Sequence, residues 1–254
     1  MDASFAAVIA ASGSSSRMGL SGRAGPSKKE YLPLGPAYVD RAGKPLTVLG
    51  AAVSAFADIG EVAVIVVAVP PGGEAEARAA LPVYLSPPPV GNSPPGPKLL
   101  FASGGSSRRI SVHRALSLLE SYGPSWVLIH DGARPWVSGA LIRRVMAGTR
   151  TYAAAVPLLP LAETPKEIDG QGFIRRHLRR SGLGSAQTPQ GFAFPGILRA
   201  HERGAERESA ESYEYTDDAE LWGEFCGPVA VVPGERENRK ITYPEDLCLR
   251  ESRR

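Results

Sequence analysis

The stretch FAAVIAASGSSSRMG, residues 5–19, indicates the fold of this chain. An apolar run of strand length leads directly into small residues, a glycine and three consecutive serines. Open α/β sheets bind ligands outside the carboxyl ends of their strands, so the N–H groups of this loop are predicted to lie at such an edge. Phosphate is the first ligand to consider. A flexible Ser/Gly turn is the alternative, and both interpretations stay open at this point.

The loop matches neither of two common phosphate-binding motifs. Dinucleotide folds use G-x-G-x-x-G and P-loops use G-x-x-x-x-G-K-[ST], whereas the glycine after Gly13 in this loop is Gly19. We therefore expect phosphate to meet the amide of Gly13, serine hydroxyls and the guanidinium of Arg17.

Apolar strands alternate with helical segments along the rest of the chain. This βαβ rhythm predicts an α/β fold with a Rossmann-like, mostly parallel sheet flanked by helices, in one domain over residues 1–254. A Pro-rich stretch at 82–97 is predicted to be an exposed connection, because proline is excluded from central strands. Strands are predicted at 5–11, 62–69, 98–103, 126–130, 153–157 and 229–234, helices near 45–58, 74–80, 106–121, 194–204 and 216–224 and from Pro244, and a Pro-broken segment at 157–192.

The composition excludes several classes of protein. The 254 residues are 43% apolar, which suffices for a sizeable core, and the formal net charge is only +3 with the basic residues spread along the chain. Nucleic acid is therefore not an expected partner. The longest apolar runs are far shorter than a membrane span and the N-terminus shows no basic-then-apolar leader, so we expect a cytoplasmic protein without membrane contact. Two cysteines fit neither a disulfide framework nor a four-ligand zinc site.

A series of motifs along the chain resembles one enzyme family, motif by motif and in the same order. The lysines of SKKEYL would add cations to the loop that contains Arg17, as a triphosphate requires. The resemblance extends from about residue 5 to about residue 250 and is to the 2-C-methyl-D-erythritol 4-phosphate cytidylyltransferases. The motifs are the first loop with KKEYLPLG and GKPLTVL, then SGGSSRRISV at 103–112, LIHDGARPWV at 128–137, TPQGF at 188–192, TDDAELW at 216–222 and ENRKITYPEDL at 237–247.

The resemblance implies a reaction and a cofactor. A phosphate oxygen of 2-C-methyl-D-erythritol 4-phosphate would attack the α-phosphorus of CTP and expel pyrophosphate, with Mg²⁺ bridging the triphosphate. The product would be an isoprenoid precursor. A ribitol-5-phosphate cytidylyltransferase is the nearest alternative, since the acceptors differ little in size. An inactive nucleotide-binding regulator is a second one, because Ser12, Ser15 and Ser106 depart from the family pattern.

The resemblance also implies the residues of the site. Arg17, Lys29 and Lys240 would be the catalytic cations around the reacting phosphates. Asp131 would lie between the nucleotide and the acceptor and could contribute to Mg²⁺ binding, although most metal ligands would be phosphate oxygens. The implied nucleotide-binding residues are Ala11, Ser12, Gly13, Ser14, Ser15, Gly105, Ser106, Ser111, Asp131 and Gly132, and the implied acceptor-binding residues are Asp131, Arg134, Thr164, Arg180, Thr188, Thr216 and Lys240.

Several of these residues also have structural interpretations. Asp131 could be the N-cap of a helix, and Thr216 with Asp217 could form a plain helix N-terminus. Lys240 lies in NRKIT, which resembles a strand. His130 is predicted to be a packed residue at a strand end, because a phosphate monoester is already ionised near neutral pH and needs no protein base.

Residues 157–180 are predicted to form a protruding arm. The segment is long and polar for a connection, yet it contains the strand-like GFIRRHL. The resemblance implies that the arm embraces a second subunit and brings Arg180 to the partner's acceptor site, in a homodimer. A mobile surface hairpin on a monomer is the alternative.

Overall fold

A sheet of eight strands forms the centre of the molecule, in a computed structural model that describes residues 4–13, 18, 28–82, 85 and 96–248. The strands in chain order, including two that form a separate hairpin, are β1 (Phe5–Ala10), β2 (Val62–Val69), β3 (Lys98–Ser103), β4 (Trp126–Asp131), β5 (Ala154–Pro160), β6 (Lys166–Ile168), β7 (Ile174–His177), β8 (Gly184–Ala186), β9 (Gln190–Ala193) and β10 (Ala230–Pro233). The helices are α1 (Val48–Ala57), α2 (Glu74–Ala79), α3 (Arg108–Leu119), α4 (Gly139–Tyr152), α5 (Phe194–Glu211), α6 (Asp218–Phe225) and α7 (Glu245–Cys248).

The strand order is β10-β5-β9-β4-β1-β2-β3, with β8 paired to β5 outside this path. Strands β1 to β4 are parallel to one another, as are β5 and β10, whereas β9 runs antiparallel to both of its neighbours. The mostly parallel α/β fold predicted from the sequence is thereby confirmed. The chain builds outward from β1 to β3 and then returns to add β4 on the other side of β1. This reversal creates a crevice between β1 and β4, where such sheets bind ligands.

Strand β1 shows why both faces of the sheet are covered. Phe5, Ala7 and Ile9 belong to the core cluster under α1 and α4, whereas Ala6 and Val8 belong to the cluster under α3, α5 and α6. The sequence of a strand that is buried on both faces is a continuous apolar run, as FAAVIA is.

Side-chain caps decide where the main helices begin. The Ser107 hydroxyl accepts a hydrogen bond from Ile110 N at 3.2 Å, so α3 begins at Arg108, two residues after the predicted start. Thr47 and Ser138 cap α1 and α4 in the same way. These caps fix the helix N-termini at the same sheet edge as the crevice.

The predicted Pro-broken segment at 157–192 was wrong in two places. Strand β5 continues to Pro160, and β9 lies inside the central sheet, where Gly191 pairs with Leu128. Strand β9 is short and buried and has no alternating pattern, so the sequence did not predict a strand there. The arm lies a few residues later in the chain than the predicted 157–180, since the segment with the β6–β7 hairpin leaves the sheet after Pro160 and returns at β8.

Some predictions concern residues outside the described part of the chain. They include Ser14, Ser15 and Arg17 of the first loop and most of the Pro-rich stretch at 82–97. Among the described residues, none of the helices has the length and apolar character to cross a membrane.

Candidate active site

A cavity of about 470 Å³ opens at the carboxyl ends of β1 and β4. Ala10 and Asp131, the last residues of these strands, lie side by side in register. The cavity therefore occupies the crevice that the strand order creates. Seven residues predicted from the sequence line it, namely Ser12, Gly13, Lys29, Gly105, Ser106, Asp131 and Lys240.

Asp131 is the electrostatic centre of the cavity. Its Oδ2 lies 2.8 Å from Lys240 Nζ and 3.7 Å from Arg134 Nε, and its Oδ1 lies 3.4 Å from Arg108 Nε. Burial opposes ionisation, but Arg108, Lys240 and Arg134 together hold the pKa of Asp131 far below its usual range. Asp131 is therefore ionised throughout the physiological range, and its charge holds Lys240 in the cavity.

His130 and Thr188 form a buried hydrogen-bond network that supports Asp131. The His130 Nε2 lies 3.1 Å from the Arg134 carbonyl oxygen and must donate to it, so Nδ1 accepts from the Thr188 hydroxyl at 3.0 Å. That hydroxyl also accepts from Asp131 N at 3.0 Å. Burial lowers the pKa of His130 to about 4, which keeps the ring neutral. The prediction that His130 is a packed residue is confirmed, and Thr188 is buried in this network instead of lining the cavity.

The second Gly/Ser loop is held by one hydroxyl. The Ser111 hydroxyl donates to Ser107 O at 2.8 Å and accepts from Gly105 N at 3.0 Å and from the Ser12 hydroxyl at 2.8 Å. Close packing requires a glycine at position 105, because a Cβ there would collide with the Ile110 side chain. The sequence does not reveal this requirement. Ser111 therefore connects the two loops by hydrogen bonds, while Gly105 and Ser106 line the cavity.

Lys29 reaches the cavity from a 3₁₀ turn over Lys29–Tyr31. It is only 8% exposed, and its ammonium donates to the carbonyl oxygen of Ile241 at 2.8 Å. The neighbouring Lys28 donates instead to the carbonyl oxygens of Ser12 and Gly13, and burial lowers the pKa of its ammonium. Lys29 thus supplies charge to the cavity wall, whereas Lys28 ties down the start of the first loop.

The segment that carries Lys240 is a loop and not the strand that NRKIT suggested. Asn238 is fully buried, and its side-chain amide donates to Thr188 O at 2.7 Å. The backbone carbonyl oxygen of Asn238 accepts from the Arg134 guanidinium at 2.8 Å. Ile241 N donates to Ala133 O at 2.8 Å. Anchors on both sides of Lys240 therefore hold its ammonium 2.8 Å from Asp131 Oδ2.

The remaining predicted residues within the described part of the chain lie outside the cavity wall. Ala11 is 1% exposed, and its N–H donates to the carbonyl oxygen of Ala68 in β2. The N–H of Gly132 donates to Ala10 O. The Arg134 guanidinium donates to the Asn238 backbone carbonyl oxygen and does not line the cavity. Thr216 bonds to Glu220 through both its hydroxyl and its N–H, and Asp217 caps α6, which confirms the helix N-terminus. Thr164 and Arg180 are exposed at the base of the arm, where Arg180 donates to Ala162 O at 2.8 Å.

Sequence reasoning missed Arg108, Glu30 and Glu214, all of which line the cavity. Arg108 is the most consequential, because it contacts Asp131 and also Asp218 at the start of α6. The paired arginines of SSRRIS were the available signal, since an arginine at a capped helix start beside a Gly/Ser loop points toward the same edge.

A Rossmann-like sheet with lysine and arginine side chains clustered at its switch point is typical of enzymes that bind nucleotides and phosphates. A family model described as IspD, 2-C-methyl-D-erythritol 4-phosphate cytidylyltransferase, matches residues 5–253. The chain belongs to this family.

Solved structures agree with the family match. The cytidylyltransferase from Thermus thermophilus is 31% identical, with a TM-score of 0.68 over 97% of this chain and 96% of that one. A structure of 4-diphosphocytidyl-2C-methyl-D-erythritol synthase from Anaerococcus prevotii has a TM-score of 0.74 at 22% identity over 97% and 95% of the chains, and supports the fold alone.

Curated relatives are longer than this chain. A bifunctional enzyme IspD/IspF of Bradyrhizobium sp. is 37% identical over 98% of this chain and 56% of its own length. Another, from Nitrobacter hamburgensis, is 44% identical over 60% of this chain and 37% of its own length. The chain thus spans between 37% and 56% of these relatives.

Proposed function

We propose that this protein transfers the cytidylyl group of CTP to 2-C-methyl-D-erythritol 4-phosphate in the synthesis of isoprenoid precursors. A phosphate oxygen of the acceptor forms a new bond to the α-phosphorus, the bond from that phosphorus to the β-phosphate oxygen breaks, and pyrophosphate leaves. The products are 4-diphosphocytidyl-2-C-methyl-D-erythritol and pyrophosphate. The observation that carries the proposal is the cavity between β1 and β4, which holds Lys29, Lys240 and Asp131 in a chain of this family.

The side chains suit a reaction between two anions. Lys29 and Lys240 reduce the repulsion between the acceptor phosphate and the triphosphate, and they favour the transition state where negative charge accumulates. The backbone N–H groups of Ser12 and Gly13 and the hydroxyl of Ser106 offer donors to the nucleotide. No protein base is required, because the acceptor phosphate is ionised at neutral pH, and the neutral His130 is sealed behind Asp131.

We propose that Mg²⁺, or another divalent cation, enters with the triphosphate. Asp131 is the carboxylate that fits it best, but its oxygens already face Lys240 and Arg108 at 2.8 and 3.4 Å. Most ligands of the ion would therefore be phosphate oxygens and water, as is usual for Mg²⁺ in phosphoryl transfer. When bound, the ion would neutralise part of the charge on the triphosphate. Because CTP and the acceptor are charged metabolites, we place the reaction in the cytoplasm.

Pyrophosphate release tests the proposed reaction. The protein is incubated with CTP, Mg²⁺ and either 2-C-methyl-D-erythritol 4-phosphate or ribitol 5-phosphate, with ATP in place of CTP as the control. We expect release with CTP and the methylerythritol acceptor. Preference for ribitol 5-phosphate would support the alternative acceptor. Binding of CTP without release from either acceptor would support the inactive regulator.

We propose further that the protein is a homodimer held by the arm. Four large apolar side chains of the arm region are exposed in the single chain, which is unfavourable unless a partner covers them. They are Ile168 (66%), Phe173 (68%), Ile174 (54%) and Leu183 (40%).

The variant Arg180→Ala is expected to lose use of the acceptor while retaining CTP binding. If Arg180 binds the acceptor phosphate, loss of a charge-assisted contact raises the acceptor KM by about 10-fold or more. Steady-state kinetics measures the KM, and calorimetry measures the Kd for CTP. The matched control is Arg175→Ala, which removes an exposed arginine of the same arm that faces Glu167 at 3.6 Å. Collapse of CTP binding in Arg180→Ala would contradict the assignment.

A further inference from the structure

Arg108 lies between two carboxylates that belong to different parts of the fold. Its Nη1 is 2.8 Å from Asp218 Oδ2 on α6, and its Nε is 3.4 Å from Asp131 Oδ1 at the end of β4. The Arg108 side chain is 29% exposed and lines the cavity. A guanidinium is planar and carries its donors in a fixed fork, so one arginine can span two acceptors that a lysine cannot.

Asp218 is a charged residue that is fully buried and does not line the cavity. It is the first residue of α6 and is 0% exposed. Its second oxygen, Oδ1, lies 3.1 Å from His201 Nε2, and His201 is also 0% exposed. Burial opposes ionisation of Asp218, but Arg108 and His201 lower its pKa below the usual value. The carboxylate is therefore a buried charge that is linked to the cavity through Arg108.

These contacts form one continuous chain from the helical layer to the cavity. His201 holds Asp218, Asp218 holds Arg108, Arg108 contacts Asp131, and Asp131 holds Lys240. Buried ion pairs contribute little net stability, because desolvation offsets their attraction. A row of ion pairs that starts at a fully buried carboxylate and ends at a proposed catalytic lysine therefore calls for a role in geometry.

We propose that Asp218 is a positioning residue for the transfer reaction, acting through Arg108 on Asp131 and Lys240. This inference rests on the proposed function. With Asp218 ionised, Arg108 is anchored to α6 and contacts Asp131 Oδ1 at 3.4 Å, which leaves Asp131 Oδ2 to Lys240 at 2.8 Å. Without the charge of Asp218, Arg108 is no longer anchored to α6, and Asp131 loses a fixed partner. Lys240 is then no longer held where it meets the reacting phosphates.

A double-mutant cycle tests the proposal. Asp218→Asn keeps the side-chain size and removes the charge, and it is expected to lower kcat about 10-fold with the Kd for CTP changed by less than about 2-fold. Arg108→Gln is expected to lower kcat at least as much. In the Arg108→Gln background, Asp218→Asn is expected to have no further effect on kcat, because its influence passes through Arg108. Additive losses, or an unchanged kcat in Asp218→Asn, would overturn the proposal.

The chain offers a matched control on the neighbouring helices. Arg109 on α3 and Glu208 on α5 form a second largely buried pair, with Arg109 Nε 2.6 Å from Glu208 Oε2, and neither lines the cavity. Glu208→Gln is expected to change kcat by less than about 2-fold, although it disrupts a comparable pair. An equal loss of kcat in Glu208→Gln would mean that any disturbance of this layer reduces turnover, and would overturn the specific role of Asp218.

A second variant keeps the proposal testable if Asp218→Asn fails to fold. Arg108→Lys retains the positive charge at a partly exposed position but cannot span both carboxylates. We expect a loss of kcat of about 10-fold with CTP binding retained, and a wild-type kcat would overturn the proposal. Pyrophosphate release by the wild-type protein separates the two hypotheses. An inactive wild type contradicts the proposed function, whereas an active wild type with an insensitive Asp218 contradicts only this inference.

Discussion

Replacement of Lys29 by alanine is expected to lower kcat by about 100-fold or more, while the KM for CTP rises by less than about 10-fold. The lysine is only 8% exposed in the cavity wall, where charge is poorly screened by water. A cation that faces the transferring phosphorus is most valuable when negative charge accumulates in the transition state. Steady-state kinetics with CTP and the methylerythritol acceptor measures both constants.

Two controls separate charge from structure at this position. Lys29 also donates to Ile241 O at 2.8 Å, so its removal could loosen the loop that carries Lys240. Lys29→Met retains most of the aliphatic stem and is expected to lose as much kcat as Lys29→Ala, with a smaller change in thermal midpoint. The exposed Lys44, outside the cavity wall, provides Lys44→Ala as an expected neutral change. Near-normal turnover in Lys29→Met would remove the Lys29 charge from the mechanism.

A mixture of the impaired variants Lys29→Ala and Arg180→Ala, assayed at an acceptor concentration well below the acceptor KM, is expected to regain activity when subunits exchange. If the arm crosses to the partner, a mixed dimer contains one site with both lesions and one site with neither. Random exchange of equal amounts makes about half of the dimers mixed, so activity should approach about one quarter of the wild-type value. Neither Arg180 nor Thr164 lines the cavity of its own chain among the described residues, which is what such an exchange requires.

The matched control combines two lesions that belong to the same subunit's cavity. Lys29 and Lys240 both line that cavity, so a mixed dimer of Lys29→Ala and Lys240→Ala has no intact site and should stay inactive. Native mass spectrometry verifies that exchange has occurred. Verified exchange of Lys29→Ala with Arg180→Ala without recovery would show that each subunit builds its own site. A monomer at working concentration would exclude the arm-mediated dimer.

The sequence alone determined the fold class and the side of the sheet that binds. Apolar runs of strand length alternate with capped amphipathic segments, and strands such as β1 and β2 have few ways to bury both faces except in a parallel sheet. The loops after these strands must then meet at one edge. The resemblance to the cytidylyltransferase family then assigned Ser12, Gly13, Lys29, Gly105, Asp131 and Lys240 to a common site before any contact was known.

The tertiary structure alone decided how those residues are held and which of them face the cavity. Ser111 and Thr188 carry hydroxyls that a motif assigns to ligands, yet their positions make them internal braces. Strand β9 and the Lys240 loop were misjudged, because their pairing and anchoring depend on partners far away in the chain. Arg108 and Asp218 are 110 residues apart in sequence, and their 2.8 Å contact exists only because α3 and α6 pack on the same face of the sheet. Local patterns fix periodicity and charge, whereas long-range packing fixes which charges meet.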